Sequence, residues 1–594
     1  MSNDIINGRV AALRSWMSSN GIDAFILPST DPHYGEYVPD HWKGREWISG
    51  FDGSAGTAVV TASKAALWTD SRYFIAASEQ LAGTPFALMR LRIEGTPSIA
   101  QWLADVLGEG EHCVGFDGTL FSQKDAEQLY DELSPLGHFT LKTDSDPLAE
   151  LWTSRPDVPQ HPIAIHPVEL AGETVVSKLL RVREAVRAAH ADALLVTALD
   201  DIAWVLNLRG NDVHCNPVFV AYLLLTQSEA VLFTMASKVT PEVADYLGKA
   251  GVKVDGYDRV EEALSALRSG CILLDPAVVN HRLYGAAACK VVAARSPIPA
   301  MKAIKNEVEL SGFRHAMERD GVAMVKFLCW LQKAVNEGGE SELSIDRKLT
   351  ALRSEQEGFR GLSFDTIAGY AAHGAIVHYE ATEATNAMLR PEGLLLLDSG
   401  GQYLDGTTDI TRTIALGPLG NREREIYTLV LKGHIRLQML KFPDGACGSQ
   451  LDAIARSPLW ERGLNFLHGT GHGVGSFLNV HEGPHQIRME WWPAPLHAGM
   501  TVTDEPGIYV EGEFGVRIEN TLAIVPYLKT DFGEFLQFET LTLCPIDTVP
   551  IIREWLSDEE REWLNSYHRT VCERLSPYLE GEELDWLRMA TREI

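Results

Sequence analysis

Asp398, Asp409, His472, Glu505 and Glu519 are the side chains of this sequence whose types and neighbourhoods best suit metal-dependent chemistry. Leu394-Leu395-Leu396-Leu397 reads as a buried strand and runs straight into Asp398. Asp409 then falls in the alternating, β-branched run Thr408-Asp409-Ile410-Thr411-Arg412-Thr413. The Gly400-Gly401 and Asp405-Gly406 pairs between them suit an irregular hairpin, which would bring both carboxylates to the sheet interior. A carboxylate buried there needs a cation or must take up a proton. His468-Gly469-Thr470-Gly471-His472-Gly473-Val474-Gly475 sets two imidazoles in a glycine-rich segment, where a missing Cβ would let the backbone approach a metal or substrate. His481-Glu482-Gly483-Pro484 follows. Glu505 stands at a strand-to-turn junction in Thr503-Asp504-Glu505-Pro506-Gly507-Ile508-Tyr509. Arg517 and Glu519 share one face of an alternating strand.

Four carboxylates balance the charge of two divalent cations, and carboxylates can bridge a pair of ions. Oxygen-dominated ligation favours a harder ion such as Mn²⁺ over a thiolate zinc site, although Zn²⁺ and Co²⁺ tolerate the same ligands. Two such ions about 3.5–4 Å apart hold a bridging hydroxide and polarise an amide carbonyl, which is hydrolase chemistry. Each acid or histidine is a weak signal alone; the ordered set is specific. Arg517 suits either a partner to a ligand carboxylate or a surface ion pair.

The elements that must position these groups follow from pattern. The first 300 residues carry a faint repeat: Asp23-Ala24-Phe25-Ile26-Leu27 matches Asp192-Ala193-Leu194-Leu195-Val196. Trp47 with Gly50 matches Trp204 with Gly210, and Ala66-Leu67-Trp68-Thr69 matches Val231-Leu232-Phe233-Thr234. Alternating helical and strand patterns imply two α/β domains of similar build. The polar, proline-rich stretch 154–162 reads as a linker, and Ser296-Pro297-Ile298-Pro299 as a second break. Lys305-Asn306-Glu307-Val308-Glu309 is expected to open a long helix running to about Val335, with Val322, Met324, Val325, Leu328 and Leu331 near helical spacing. From residue 393 the pattern turns to strands, and from about 544 a helical tail carries Trp555, Trp563 and Trp586. That tail would dock on a partner subunit or on its own domain. The expected domains are 1–156, 157–300 and 301–594, with the tail at 544–594.

The 594 residues exceed what one core organises. Lysine and arginine number 52 against 81 acids, a formal charge of −29 that argues against nucleic acid and anionic membrane as partners. Neither a secretory signal nor a membrane-length apolar run is visible. The 8 cysteines form no CxxC pair, so a zinc ribbon and a disulfide framework are both disfavoured and the cytoplasm is the expected compartment.

The stretches GAIVHY, LLDSGGQYLDGTTDITRT, LHGTGHGVGSFLNVHEGP, VTDEPGIY and FGVRIEN resemble the creatinase/aminopeptidase ("pita-bread") metallopeptidases. With WISGFDGSAGTAVVTASKAALWTDSRYF, the whole chain is most similar to their long, three-domain cytosolic group, the aminopeptidases P. The resemblance implies two creatinase-N-like α/β domains followed by a pita-bread catalytic domain. It implies two metals per subunit, with Asp398 on one, His472 and Glu505 on the other, and Asp409 and Glu519 bridging. His378, His468 and His481 would lie on the substrate side, and Glu505 would shuttle the proton. The implied reaction is release of an N-terminal residue from a penultimate proline, by a homodimer. A prolidase, or a peptide-binding homologue without catalysis, is the alternative. His33, His41, Arg72 and the loop Phe51-Asp52-Gly53-Ser54 could contribute to preference at the first substrate residue.

Overall fold

The computed structural model describes residues 2–594, which form two compact units: residues up to 165 with 173–298, and residues 166–172 with 299–594.

The first unit holds two six-stranded sheets of identical plan. In the first the order is Phe86–Arg90, Ala65–Thr69, Thr57–Thr61, Ala24–Pro28, Glu111–Gly115, His138–Lys142. In the second it is Val252–Gly256, Ala230–Thr234, Tyr222–Thr226, Ala193–Val196, Cys271–Leu274, Lys290–Ala293. Across both sheets successive pairings run parallel, antiparallel, antiparallel, parallel, parallel. The repeated Asp-Ala start of the fourth strand has a physical reason. Asp23 accepts from the Cys113 amide at 2.8 Å, and Asp192 accepts from the Cys271 amide at 2.9 Å, so each aspartate pins the neighbouring parallel strand. Trp47 and Trp204 both lie on the helix that follows that strand, at Gly44–Ser49 and Leu199–Leu206.

The second unit opens with the helix Ile298–Ala303, which begins inside the proline-marked break, and then the long helix Glu307–Glu337. Asn306 caps the long helix by accepting from Val308 N and Glu309 N, while Glu309 reaches back to the Asn306 amide. All five expected apolar positions are buried, between 0 and 7% exposed. Two of the sheets that follow position the site. One is Ile367–Tyr370, Leu394–Ser399, Ile410–Ala415; the other is Lys441–Pro443, Gly533–Thr540, Asn520–Thr530, Thr501–Asp504.

The strand-only expectation after residue 393 is corrected by two helices, Asn421–Gln438 and Gly448–Trp460. Their signals were capping carboxamide and carboxylate groups: Glu423 accepts from Gly420 N, and Gln450 from Cys447 N. They cross so closely that a Cβ on Gly433 would meet the Ala455 carbonyl at 2.2 Å. The tail forms the helices Asp558–Leu575 and Gly581–Ala590 and docks on its own unit. Leu564, Val571, Leu575 and Leu587 pack there with Val325, Val430 and Ile518 in one buried cluster.

In the first unit His33 is buried, with Nδ1 against the Thr197 carbonyl and Nε2 against the Tyr257 hydroxyl. Burial lowers its pKa to about 3. Burial raises the neighbouring Asp31 to about 6, although the Gly35 and His33 amides oppose this. The two effects have opposite sign. His33 contributes stability that is present above 6.5 and lost as pH falls toward 3, whereas Asp31 contributes stability that grows as pH falls from about 6 to 3.8. Asp31→Asn therefore leaves the His33 effect uncompensated. The variant should lose about 1 kcal/mol more than wild type between about pH 7 and about pH 5. Denaturant unfolding at the two pH values checks this, and equal slopes for the two proteins would refute it.

Candidate metal centre

Asp398 lies on the central strand Leu394–Ser399, opposite Thr411 in register. Asp409 does not sit within a strand. It stands in the break between Gly406–Thr407 and Ile410–Ala415, after a small hairpin formed by Gly401–Tyr403 and Gly406–Thr407. Glu519 stands in a similar break, where the chain leaves Phe514–Arg517 and enters Asn520–Thr530. Glu505 follows Thr501–Asp504 directly, and His472 is central in Gly471–Gly473. Breaks suit ligands because a side chain there is not bound to the strict alternation of a strand.

These five groups converge. His472 Nε2 is 3.4 Å from Asp409 Oδ2 and 3.4 Å from Glu505 Oε1. His472 Nδ1 lies 2.9 Å from the Gly473 carbonyl, which assigns the proton to Nδ1 and directs the Nε2 lone pair into the pocket. One donor atom each from Asp409, His472 and Glu519 lies within 4.8 Å of the others. Thr411 Oγ1 donates to Glu519 Oε2 at 2.7 Å, and Thr503 Oγ1 to Glu505 Oε1 at 3.2 Å. Arg517 is buried and pairs with Asp398 Oδ2 at 2.6 Å through Nη2, so its partner is a site carboxylate and not a surface acid.

The electrostatics report crowding. Burial raises the pKa of Asp398, and Asp409 adds to the rise while Arg517 opposes it. Burial raises Glu505, which Asp409 and Asp398 push further, and raises Glu519 well above its usual range with all three other carboxylates contributing. At His472 burial disfavours the imidazolium, but Asp409 and Glu505 outweigh it and hold the pKa up at about 9. Asp398 Oδ1 is buried without a hydrogen-bond partner. An orphaned buried oxygen, mutually repelling carboxylates and an imidazole lone pair among them are the donor set that divalent cations require. The residues fit two metal ions.

Around this pocket the three other histidines occupy distinct places. His481 sets its ring edge-on against His472, with centroids 4.3 Å apart. His468 Nε2 is 2.8 Å from the Tyr509 hydroxyl, which in turn accepts from Arg517 Nη1 at 2.7 Å. Tyr509 thus joins the site although its residue type carried no signal in the sequence beyond standing in the DEPGIY stretch. His378 is half-buried on the loop after the turn Ala371–Ala375, and the carbonyl of its neighbour Val377 accepts from Arg517 Nη2. Buried Glu342 anchors that loop through Tyr370 N, His373 Nδ1, the Tyr379 hydroxyl and Ala387 N. The glycines of 469–475 serve strand packing. A Cβ on Gly471 would meet the Thr503 carbonyl at 1.9 Å, and one on Gly473 the Glu482 carbonyl at 2.4 Å. In the first unit His33 is spent on buried hydrogen bonds, His41 Nδ1 on the Pro156 carbonyl, and Arg72 on both oxygens of Asp70. Arg45 holds the carbonyls of Phe51 and Gly53, so the 51–54 loop is braced from within the same unit.

The chain matches metallopeptidase family M24 over residues 311–526 and the C-terminal region of that family over 534–594. It matches the creatinase/prolidase N-terminal domain twice, over 9–143 and 154–309. Aminopeptidase P2 of Arabidopsis thaliana is 42% identical, across 99% of this chain and 88% of its own. A probable Xaa-Pro aminopeptidase P of Laccaria bicolor is 41% identical, across 98% of this chain and 92% of its own. The chain belongs to the aminopeptidase P family of metallopeptidases. The solved X-prolyl aminopeptidase of Caenorhabditis elegans, described as a cytosolic enzyme with a di-nuclear active site, superposes with a TM-score of 0.94 at 35% identity. That match covers 99% of this chain and all of the other. An Xaa-Pro dipeptidase of Bacillus anthracis, matched along its whole length, covers only 64% of this chain, at a TM-score of 0.52 and 25% identity. The fold class is therefore two creatinase-type α/β domains and a pita-bread domain, as the motifs implied.

Asp409→Asn and Glu519→Gln each remove a charge from the centre of the pocket. Both variants should fold yet lose metal loading, measured by elemental analysis after dialysis, together with hydrolysis. Full metal content in either variant would exclude it from the ligand set.

Proposed function

We infer that this protein removes the N-terminal residue of peptides whose second residue is proline, working with two divalent metal ions. The observation that carries the reading is the buried pocket of Asp398, Asp409, His472, Glu505 and Glu519, set in a chain that matches Xaa-Pro aminopeptidases from end to end. The dipeptidase alternative is weaker because such a chain lacks a counterpart to a third of this one.

Two divalent ions held there would polarise the scissile carbonyl and acidify a water enough to attack it. Glu505 is proposed to accept that water's proton and pass it to the departing proline nitrogen; its carboxyl, raised by burial, suits a group that both takes and gives. His481, against the ring of His472, and His378 are proposed to donate hydrogen bonds to charge developing on the carbonyl oxygen. His468, tied to Tyr509, is assigned to the substrate side. Arg517 holds the Asp398 carboxylate in place and opposes the rise that burial imposes on it.

The oxygen-rich donors favour Mn²⁺, with Zn²⁺ or Co²⁺ as substitutes. The proposed functional division is 1–156, 157–300 and 301–594. A homodimer belongs to the same reading: Trp460, Leu467 and Trp491 of the second unit are exposed apolar side chains that a second copy would cover. We also place the chain in the cytoplasm, as its solved C. elegans relative is described. Among the described residues no helix is long and apolar enough to cross a membrane.

Chelation should abolish release of the first residue from an Xaa-Pro-Xaa tripeptide, and added Mn²⁺ should restore it. Faster cleavage of an Xaa-Pro dipeptide than of the tripeptide would favour a prolidase instead. His481→Ala should lower kcat by about 100-fold with both metals retained. An unchanged kcat would remove the residue from catalysis.

A further inference from the structure

The carboxylate pocket has a second buried polar layer behind it, and the C-terminal segment builds part of that layer. Alternate residues of a strand point to opposite faces. Thr411 reaches the pocket by donating to Glu519, so Arg412 points away from it. Arg412 is only 1% exposed, yet all its acceptors are neutral oxygens. Its Nη1 donates to the Glu519 carbonyl at 2.6 Å and the Thr411 carbonyl at 3.0 Å. Its Nη2 donates to Asn520 Oδ1, the Cys544 carbonyl and the Tyr567 hydroxyl, and its Nε to the Pro545 carbonyl.

The same layer continues behind Glu505. Asn520, next to Glu519, pairs in register with Asp504, next to Glu505. His434 spans the two, 3.2 Å from Asn520 Nδ2 and 3.0 Å from Asp504 Oδ2. Trp563 of the tail stacks on Tyr567 with centroids 5.4 Å apart and meets His434 edge-on. His568 Nε2 accepts from Ile546 N and so steadies the segment whose carbonyls receive Arg412.

We propose that Tyr567 is a positioning residue for the metal centre. Through Arg412 it fixes the main chain at Glu519 and Thr411, and hence the spacing of the segments that carry Glu519 and Asp409. The tail is therefore a working part of the site and not only a cover for the core. Nη2 has two hydrogens for three acceptors, Asn520 Oδ1, the Cys544 carbonyl and the Tyr567 hydroxyl, so losing the hydroxyl re-aims a guanidinium whose N–H groups lie in one rigid plane. That shift is transmitted to the Glu519 carbonyl by the shortest bond Arg412 makes. The proposal rests on the two-metal reading.

The test uses the full-length protein, stripped of metal and titrated with Co²⁺, with the visible spectrum, the dissociation constants, thermal unfolding and peptide kinetics read together. Tyr567→Phe removes only the hydroxyl. It should weaken binding of the second Co²⁺ equivalent by about tenfold, alter the Co²⁺ spectrum, and lower kcat while KM stays within about twofold. Arg412→Lys, which keeps the charge and loses the fork, should move the same readouts in the same direction. Glu582→Gln breaks an exposed pair with Lys333 in the same tail and should change none of them. A Tyr567→Phe protein that melts earlier but binds both equivalents with wild-type affinity and spectrum would overturn the proposal, leaving Tyr567 a packing residue. Wild-type protein that takes up no Co²⁺ would instead overturn the metal reading itself, and the positioning role with it.

Discussion

Four carboxylates are buried against one another in a single pocket, and most of the second unit's construction answers that one electrostatic problem. Isolated burial of an ionised carboxylate is unfavourable, and mutual repulsion makes each further one worse. Arg517 offsets only part of the charge, which is why burial and like charge raise the pKa values of Asp398, Glu505 and Glu519. Cations complete the balance. Thr411 and Thr503 hydroxyls orient individual oxygens without adding charge, so the donors stay aimed while their charge remains available.

The five site residues come from five separate chain segments, and three of them are held where regular structure stops. Asp409, Glu505 and Glu519 all lie just outside strands, while Asp398 and His472 sit within them. Such an arrangement needs support from behind. Other buried charges in the molecule follow the same logic of full compensation. Asp320 takes both Arg353 and the Tyr403 hydroxyl, and Asp212 takes Lys238 together with the Val220 amide. Arg412, like buried Arg45, has only neutral acceptors, and its positive charge lies behind the segments that carry Asp409 and Glu519.

The first unit shows the same economy at the level of whole domains. Two sheets with one plan are each pinned by an aspartate at the start of the central strand. His33 and Asp31, buried side by side, shift in opposite directions and leave the unit less sensitive to acid than either alone would make it.

By itself the sequence determined the candidate donor types, the repeat, the long helix and the apolar strand leading into Asp398. Each of these is written in residues close together along the chain, where hydrophobic period, caps and turn residues act locally. Its stretches also carried the family resemblance, because donor identity and order survive without coordinates. The helices Asn421–Gln438 and Gly448–Trp460 were written locally too, but in caps weaker than the strand signals around them. Only the tertiary structure decided that Arg517 meets Asp398, that Tyr509 joins His468, and that Gly471 and Gly473 are small for the sake of Thr503 and Glu482. It also decided that the tail reaches Arg412 through Tyr567. Those partners are separated by 9 to 155 residues, and an arginine or tyrosine reads the same locally whether its partner is a carboxylate or water. The pairing is set by how the strands and helices stack, which no short stretch of sequence contains.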